Sequence, residues 1–349
     1  MVEAYLSSGM ILVCYGTRPE IIKMSPVIEE LKKQELRFKT VFTGQHKDMY
    51  EQFKHTVRTP DYWLDVMRSK SSLGDTIGSI MHKLDQLLGK GGIDLMLVQG
   101  DSSSSFACAL SAFNSKVPIG HVEAGLRTYN IQSPFPEEGY RQMITRIVNL
   151  HWAPTQKALD NLVREGVQNA RLTGNTIIDA CVGSQNEISY GNKVLVVLNR
   201  RDNYGERMKK LFTEVEELAN RHPELEIIFP MPHNPNVKSQ RYIFKKVNVI
   251  EPLEYSEILK LISEAKFVIS DSGGLQEECA AFRKKILVCR ENTERPEGLE
   301  AGIGRLVNTD VLLHYRWAMD NPEWSGENPF GDGNARLKIV EHIREFLGI

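Results

Sequence analysis

MILVCYGTRPEIIK, Met10 to Lys23, decides the fold. Its first six residues, Met10 to Tyr15, form an unbroken apolar run of the kind that suits a strand buried on both faces of a parallel sheet. Gly16-Thr17-Arg18-Pro19-Glu20 follows at once, then the helical pattern IIKMSPVIEELKK. Pro19 fits a first helical turn, where a missing N–H costs nothing. The amides of that turn, with Arg18 and Lys23, would form an anion site at the end of the strand. Taken alone, the segment reads equally well as an ordinary strand-to-helix turn with surface basic residues.

The same alternation recurs. A strand at Phe38 to Thr43 leads to Gly44-Gln45-His46, a helix covers Leu73 to Leu88, and a strand at Ile93 to Gln99 leads to Gly100-Asp101. A serine run opens the next helix, and Val117 to His121 is another strand. A helix continues from Met143 to Leu150, Leu150 to Ala153 reads as a strand, and Gly174-Asn175 marks a turn before a helix. Polar, turn-rich Gly183 to Lys193 suits a linker. A second series follows: strands at Val194 to Leu198, Leu225 to Phe229, Phe267 to Ser270 and, last, Ile286 to Cys289, with helices at Tyr255 to Ser263, Leu275 to Ala281 and Ala335 to Leu347. Strands alternating with helices predict α/β architecture: two doubly wound parallel-sheet, Rossmann-like domains facing a cleft. The expected domains are 1–183, 193–334, and a closing helix 335–349 that packs back on the first.

Polar residues gather where ligands bind in such sheets, at the carboxyl ends of strands. HVEAGLRTYNIQSPFPEEGYRQ, His121 to Gln142, contributes Glu123, Glu137, Glu138, Arg127 and Arg141, and Asp101 holds the same place one strand earlier. In isolation these would be surface ion pairs worth little, and Asp101 a helix N-cap. Across the linker, Ser272-Gly273-Gly274 at a helix start would cradle a diphosphate, because glycine lets backbone amides approach an anion. Alone, that too is a capped turn. Anion sites in both domains and carboxylates in the first suggest that one domain binds a nucleotide while the other moves protons. Neither GxxxxGK[ST] nor GxGxxG follows a strand, which disfavours an NTPase or a nicotinamide enzyme.

Bulk properties are typical of a soluble globular protein. The chain has 349 residues, 41% hydrophobic and 25% charged, with net charge -2. That length predicts two domains, and that charge supplies no basic field for nucleic acid or membrane. MVEAYLSSG lacks the basic and apolar parts of a signal peptide, which points to the cytoplasm. Cys14, Cys108, Cys181, Cys279 and Cys289 are scattered without a CxxC pair, as expected of buried thiols. The nine histidines show no ligand spacing, so no metal is expected.

GTRPEIIK, TGQH (Thr43 to His46), QGD (Gln99 to Asp101), HVEAGLRT with SPFPEEGYRQ, GNTIIDA (Gly174 to Ala180), SDSGGLQEE (Ser270 to Glu278), TERPE (Thr293 to Glu297) and NPFGDGNA (Asn328 to Ala335) resemble, in order, the non-hydrolysing UDP-N-acetylglucosamine 2-epimerases. The resemblance implies a GT-B-like fold, a homodimer, no metal or nicotinamide cofactor, and a part in polysaccharide biosynthesis. It also implies interconversion of UDP-GlcNAc and UDP-ManNAc, by anti elimination of UDP to 2-acetamidoglucal and re-addition. Asp101, Glu123 and Glu137 match its catalytic carboxylates. Arg18, Lys23 and Arg141 match residues near the diphosphate or sugar, Ser272, Gly273 and Gly274 the diphosphate cradle, and Glu278 the acceptor of the ribose hydroxyls. Gln45 and His46 match an allosteric site for a second UDP-GlcNAc.

Two departures stand out. Asn199-Arg200-Arg201-Asp202-Asn203 has asparagine where the family has a histidine beside the leaving diphosphate. An imidazolium offers charge and a proton, whereas Asn199 offers a neutral donor, leaving Arg200 or Lys23 to compensate. In Pro230 to Pro235, PMPHNP, His233 stands one place later than the family's histidine of the second site. Rival readings are an epimerase of a related UDP-sugar such as a diacetamido uronate, a glycosyltransferase using a UDP-sugar donor, and a catalytically weak UDP-sugar-binding protein.

Overall fold

A computed structural model describes residues 9–45, 59–66, 71–182 and 187–349. The opening apolar run becomes β1, Ile11–Tyr15, with every residue buried. In chain order there follow β2 (Phe38–Phe42), β3 (Tyr62–Trp63), β4 (Leu95–Gln99), β5 (Ile119–Val122), β6 (Leu150–Ala153) and β7 (Ala170–Leu172). They form a seven-stranded sheet in the order β3-β2-β1-β4-β5-β6-β7, with every pairing parallel. A second series, β8 (Lys193–Val197), β9 (Glu226–Pro230), β10 (Asn248–Ile250), β11 (Ala265–Ser270), β12 (Ile286–Val288) and β13 (Gly304–Leu306), forms a six-stranded sheet in the order β10-β9-β8-β11-β12-β13. It too is parallel throughout. These are the two doubly wound sheets that the alternating pattern predicts.

In each sheet the first strand is flanked by its immediate successor on one side and by a later strand on the other. Connections leave β1 and β4 in opposite directions, and likewise β8 and β11, so each sheet has a switch point at which a crevice opens beyond the carboxyl ends. The loops after β1, β4, β8 and β11 carry Arg18, Asp101, Asn199 and Ser272. Within each sheet, strand order sets loops of distant sequence side by side: the Arg18 and Asp101 loops in the first, the Asn199 and Ser272 loops in the second.

The chain divides into two compact units: up to Ala180 together with Gly331–Ile349, and Cys181–Phe330. In the first, helix Leu73–Leu88 buries Thr76, Ile80, Leu84 and Leu88, a four-residue repeat that lays one stripe on the core. Its partners there include Leu12, Met96 and Val98, and each fully buried aliphatic side chain contributes about 1.5–3 kcal/mol. Gly120 on β5 is a required glycine, because a Cβ there would meet the Trp152 ring at 2.4 Å. Helix Ala335–Leu347 lies against helix Arg18–Lys33, and the His342 ring accepts the Trp152 indole N–H at 3.1 Å. In the second unit Phe212, Phe229 and Phe244 form an aromatic cluster within the core of its sheet.

Two expectations need correction. Cys289 does not end the strand series, since β13 pairs beside β12; its three residues, Gly-Arg-Leu, are partly exposed and carry no apolar run to betray a strand. The helix expected from Met143 to Leu150 spans Glu137–Ile147, and Leu150 belongs to β6. Of the expected linker, 183–186 lie outside the described residues. Ser189 donates its amide to the Ser263 carbonyl at 2.9 Å within the second unit. No helix of the described residues is long and apolar enough to cross a membrane.

Buried His121 on β5 shares a hydrogen bond of 2.8 Å, through Nε2, with the Gly100 carbonyl beside Asp101. Desolvation is the main cause that moves its pKa from 6.5 down to about 4, so the ring is neutral at physiological pH. The unfolded chain therefore binds a proton that the folded one refuses as pH falls below 6.5, and this contribution to stability is lost progressively toward pH 4. The wild type should lose about 2 kcal/mol through this group between pH 7 and pH 5. His121→Gln should flatten the slope by that amount in denaturant titrations at the two pH values; an unchanged slope would show that the ring does not carry it.

Candidate functional site

The first unit's site begins at the turn after β1. Gly16 has no room for a side chain: a Cβ would lie 1.9 Å from Thr43 Oγ1 and 2.2 Å from Ser104 Oγ. Buried Glu20 accepts the amides of Gly16 and Thr17 at 2.5 and 3.0 Å. Its other oxygen accepts the hydroxyls of Ser102 and Ser105, the latter at 2.9 Å. One carboxylate thus joins the turn after β1 to the helix after β4. Burial pushes its pKa up and these donors pull against the rise. A sequence signal for Glu20 existed, as Thr17-x-x-Glu20 is a capping-box pattern, but it gives no hint of the serines more than eighty residues away.

The catalytic candidates come next. Ser102, not Asp101, caps helix Ser103–Asn114, accepting the Ser105 amide at 3.1 Å. Asp101 instead accepts the Arg141 guanidinium at 2.7 Å. Glu123, the residue after β5, holds a left-handed backbone with φ 67° and is buried. Its Oε2 accepts from buried Lys23 and from Asn175 Nδ2 at 3.0 Å. Lys23, expected near the diphosphate or sugar, is thus in contact with a candidate base. Glu137 opens helix Glu137–Ile147, four residues before Arg141 and so on the same face. That helix is held to helix Ser103–Asn114 by the Tyr140 ring stacked on Phe106, centroids 4.9 Å apart. Asp101 with Arg141 and Glu123 with Lys23 thus make two ion pairs at the loops after β4 and β5. Arg18 is half-buried in the turn after β1.

Two charges of the central stretch turn to structural work. Glu138 is fully buried and accepts the amides of Thr128 and Tyr129 at 2.9 and 3.0 Å and Arg141 Nη1 at 2.8 Å. It binds the loop to the helix. Arg127 pairs with Glu165 through Nε and Nη2, at 2.7 and 2.9 Å. Gln45 Oε1 accepts the Ser104 amide and hydroxyl at 3.2 and 2.7 Å; His46 lies outside the described residues.

In the second unit the organising group is Asp271, the residue after β11. It is buried and accepts the amides of Asn199 and Arg200 at 3.1 and 2.9 Å and Asn203 Nδ2 at 3.0 Å. Desolvation raises its pKa against those donors. Its partners lie some seventy residues earlier, so no local pattern announces it. Ser272 is the N-cap of helix Gly273–Ala281 and has no side-chain capping bond. A Cβ on Gly273 would strike Arg295 Nη1 at 2.6 Å and Glu294 Oε1 at 2.8 Å, so glycine there is dictated by packing. Behind it, Arg295 donates to Glu277 at 2.6 Å and to Glu294, and Arg290 donates to Glu294 at 2.8 Å. Glu278, on the same helix, is buried beside Tyr255, whose hydroxyl is pushed well above its usual pKa by burial first and by Glu278 next. Asn199 is exposed; its Oδ1 accepts Asn234 Nδ2 at 3.0 Å and its carbonyl accepts the Tyr204 hydroxyl at 3.0 Å. Arg200 is half-buried, 3.8 Å from Asp202.

Chemically, the first unit offers carboxylates steadied by cations, suited to proton transfer, and the second offers a helix N-terminus backed by glycines, suited to an anion. Among the described residues no group of His, Cys, Asp or Glu is placed to hold a metal ion.

Known proteins resemble the chain in sequence and in fold. A family model described as UDP-N-acetylglucosamine 2-epimerase matches residues 29–344. The chain is 38% identical to the UDP-N-acetylglucosamine 2-epimerase of Salmonella borreze, over 95% of this chain and 97% of that one. It superposes on the UDP-GlcNAc 2-epimerase of Neisseria meningitidis bound to UDP-GlcNAc with a TM-score of 0.89 at 35% identity, covering 96% of this chain and all (100%) of the other. MurG of Acinetobacter baumannii, at 10% identity and a TM-score of 0.56, shares the fold alone. By sequence and by its pair of doubly wound sheets, the chain belongs to the UDP-N-acetylglucosamine 2-epimerase family and has its GT-B-like fold.

Proposed function

We propose that the chain interconverts UDP-GlcNAc and UDP-ManNAc by elimination and re-addition of UDP. The observation that carries this reading is the set of carboxylates at the ends of β4 and β5, with Asp101 paired to Arg141 and Glu123 to Lys23. Carbon 2 of the sugar bears an acetamido group and no carbonyl, so its proton is weakly acidic. Breaking the C1–O bond as the proton leaves solves this: the C2–H electron pair forms the C1–C2 double bond, and the C1–O pair departs on UDP. Re-addition reverses both events with the proton delivered to the other face of C2. Acid/base groups must then serve both faces, and the leaving diphosphate must be stabilised at the same time.

Asp101, Glu123 and Glu137 are the proposed acid/base groups. The amides at Ser272, Gly273 and Gly274, with Arg18 and Arg200, are proposed to hold the diphosphate, and Glu278 the ribose. A related UDP-sugar differing at C3 or C6 would use the same groups. Buried free thiols fit a reducing, cytoplasmic setting. The chain is proposed to work as a homodimer, and sedimentation should give twice the 39.6 kDa chain mass; a monomer under turnover conditions would remove the dimer.

In heavy water the protein should place deuterium at C2 of UDP-GlcNAc while the manno epimer appears in the NMR spectrum. Asp101→Asn, Glu123→Gln and Glu137→Gln should each lower turnover by roughly 10²–10⁴. Free UDP without return would indicate hydrolysis, and a saturated complex with no exchange would indicate a binding protein. Asn199→His should raise turnover by adding a charged donor near the leaving group; unchanged turnover would mean that Asn199 does not limit the reaction.

A further inference from the structure

Asn175 is a buried amide in the turn between β7 and helix Thr176–Val182, and the proton chemistry assigns it no role so far. Its two side-chain ends have different partners. Oδ1 accepts the Ile177 amide at 3.1 Å, and Nδ2 donates to Glu123 Oε2 at 3.0 Å. The Ile177 N–H can only donate, so it fixes which end of the amide is oxygen and turns the NH₂ toward the carboxylate. The same Glu123 oxygen takes Lys23 from the helix after β1.

The turn that holds Asn175 is itself clamped. Gly174 has φ 90°, and a Cβ on Gly331 would come within 2.9 Å of the Gly174 Cα. Asp179, one turn along the short helix, accepts the amides of Ala335 and Arg336 at 3.2 and 3.0 Å and Arg336 Nη1 at 2.9 Å. The chain's return at Gly331 and the start of its closing helix thus brace the turn from behind. Glu123 sits in a left-handed backbone conformation, which costs on the order of 1 kcal/mol or more and is kept where surrounding contacts over-determine it.

We propose that Asn175 is a positioning residue for the epimerisation: it fixes the orientation of the Glu123 carboxylate through Oε2 while Lys23 holds the same oxygen from the opposite element. The inference rests on the reading of Glu123 as an acid/base group. A swing of a carboxylate by an ångström is enough to spoil proton transfer, so the effect belongs in the chemical step and not in nucleotide binding.

The substitution Asn175→Asp separates this role from a merely structural one. Aspartate keeps an oxygen for the Ile177 amide and is a good helix cap, but it puts an acceptor where Glu123 needs a donor. Asn175→Asp should keep UDP affinity and KM within about threefold and its melting temperature near that of the wild type. Its kcat should fall by about 10- to 100-fold, as removal of a supporting partner commonly does, with deuterium entry at C2 falling in parallel. Asn175→Ala, which loses both contacts, should fall at least as far and also melt lower. If the wild type turns over and Asn175→Asp matches its kcat, Asn175 is only a cap and the inference is overturned. If the wild type exchanges no C2 hydrogen, the reading of Glu123 fails and this inference fails with it.

Discussion

A buried carboxylate spanning the switch point holds each unit's site together. In the first unit Glu20 reaches from the turn after β1 to the serines after β4. In the second, Asp271, after β11, reaches back to the amides after β8. A carboxylate removed from water costs several kcal/mol unless donors replace the solvent. Each acid therefore draws the amides of one loop and the side chains or start of another into a single arrangement. The crevice that parallel-sheet topology opens is thereby given fixed walls, and the residues that meet a ligand need not be the ones that hold the walls.

This division of labour accounts for what the sequence shows and what it hides. The buried strands were legible because a strand covered on both faces must be apolar throughout, as ILVCY of β1 and LMLVQ of β4 nearly are. Short edge strands such as β7 and β13 have exposed residues and no such pattern. Helix Glu137–Ile147 hid its beginning, since EEGYRQ has the composition of a loop. Asp101 and Glu123 could be read because each lies within two residues of a strand's end, whereas Glu137 opens a helix and has no such mark. The long-range roles of Glu20, Asp271 and Asn175 could not be read because the partners concerned lie between 52 and 85 residues away, a separation that only strand order converts into contact.

The stretch from His121 to Gln142 also shows why charge in a loop does not announce its task. Glu137 and Glu138 are neighbours in sequence. The second is fully buried and spends its oxygens on Thr128, Tyr129, Arg141 and Gln142. The first, one position earlier on the helix, is only half-buried. A rotation of about 100° per residue separates a structural acid from a candidate for chemistry, and composition cannot see that angle.

The placement of Lys23 bears on how a leaving diphosphate could be stabilised. A lysine in contact with a buried carboxylate has much of its field neutralised locally, so it serves Glu123 before it serves a phosphate. Under the proposed reaction the task would fall to groups whose donors do not titrate near neutral pH: in the second unit, the amides from Ser272 to Gly274, the Arg200 guanidinium and Asn199. The side chain of Asn199 is oriented by Asn234, which donates to its oxygen; that bond leaves its NH₂ group as the end suited to an anion. A neutral donor in a fixed direction needs no proton uptake to act. What it lacks in charge would have to come from guanidinium groups and backbone dipoles, so under the proposed reaction the diphosphate would rest on donors that keep their protons and the proton transfer on the carboxylates.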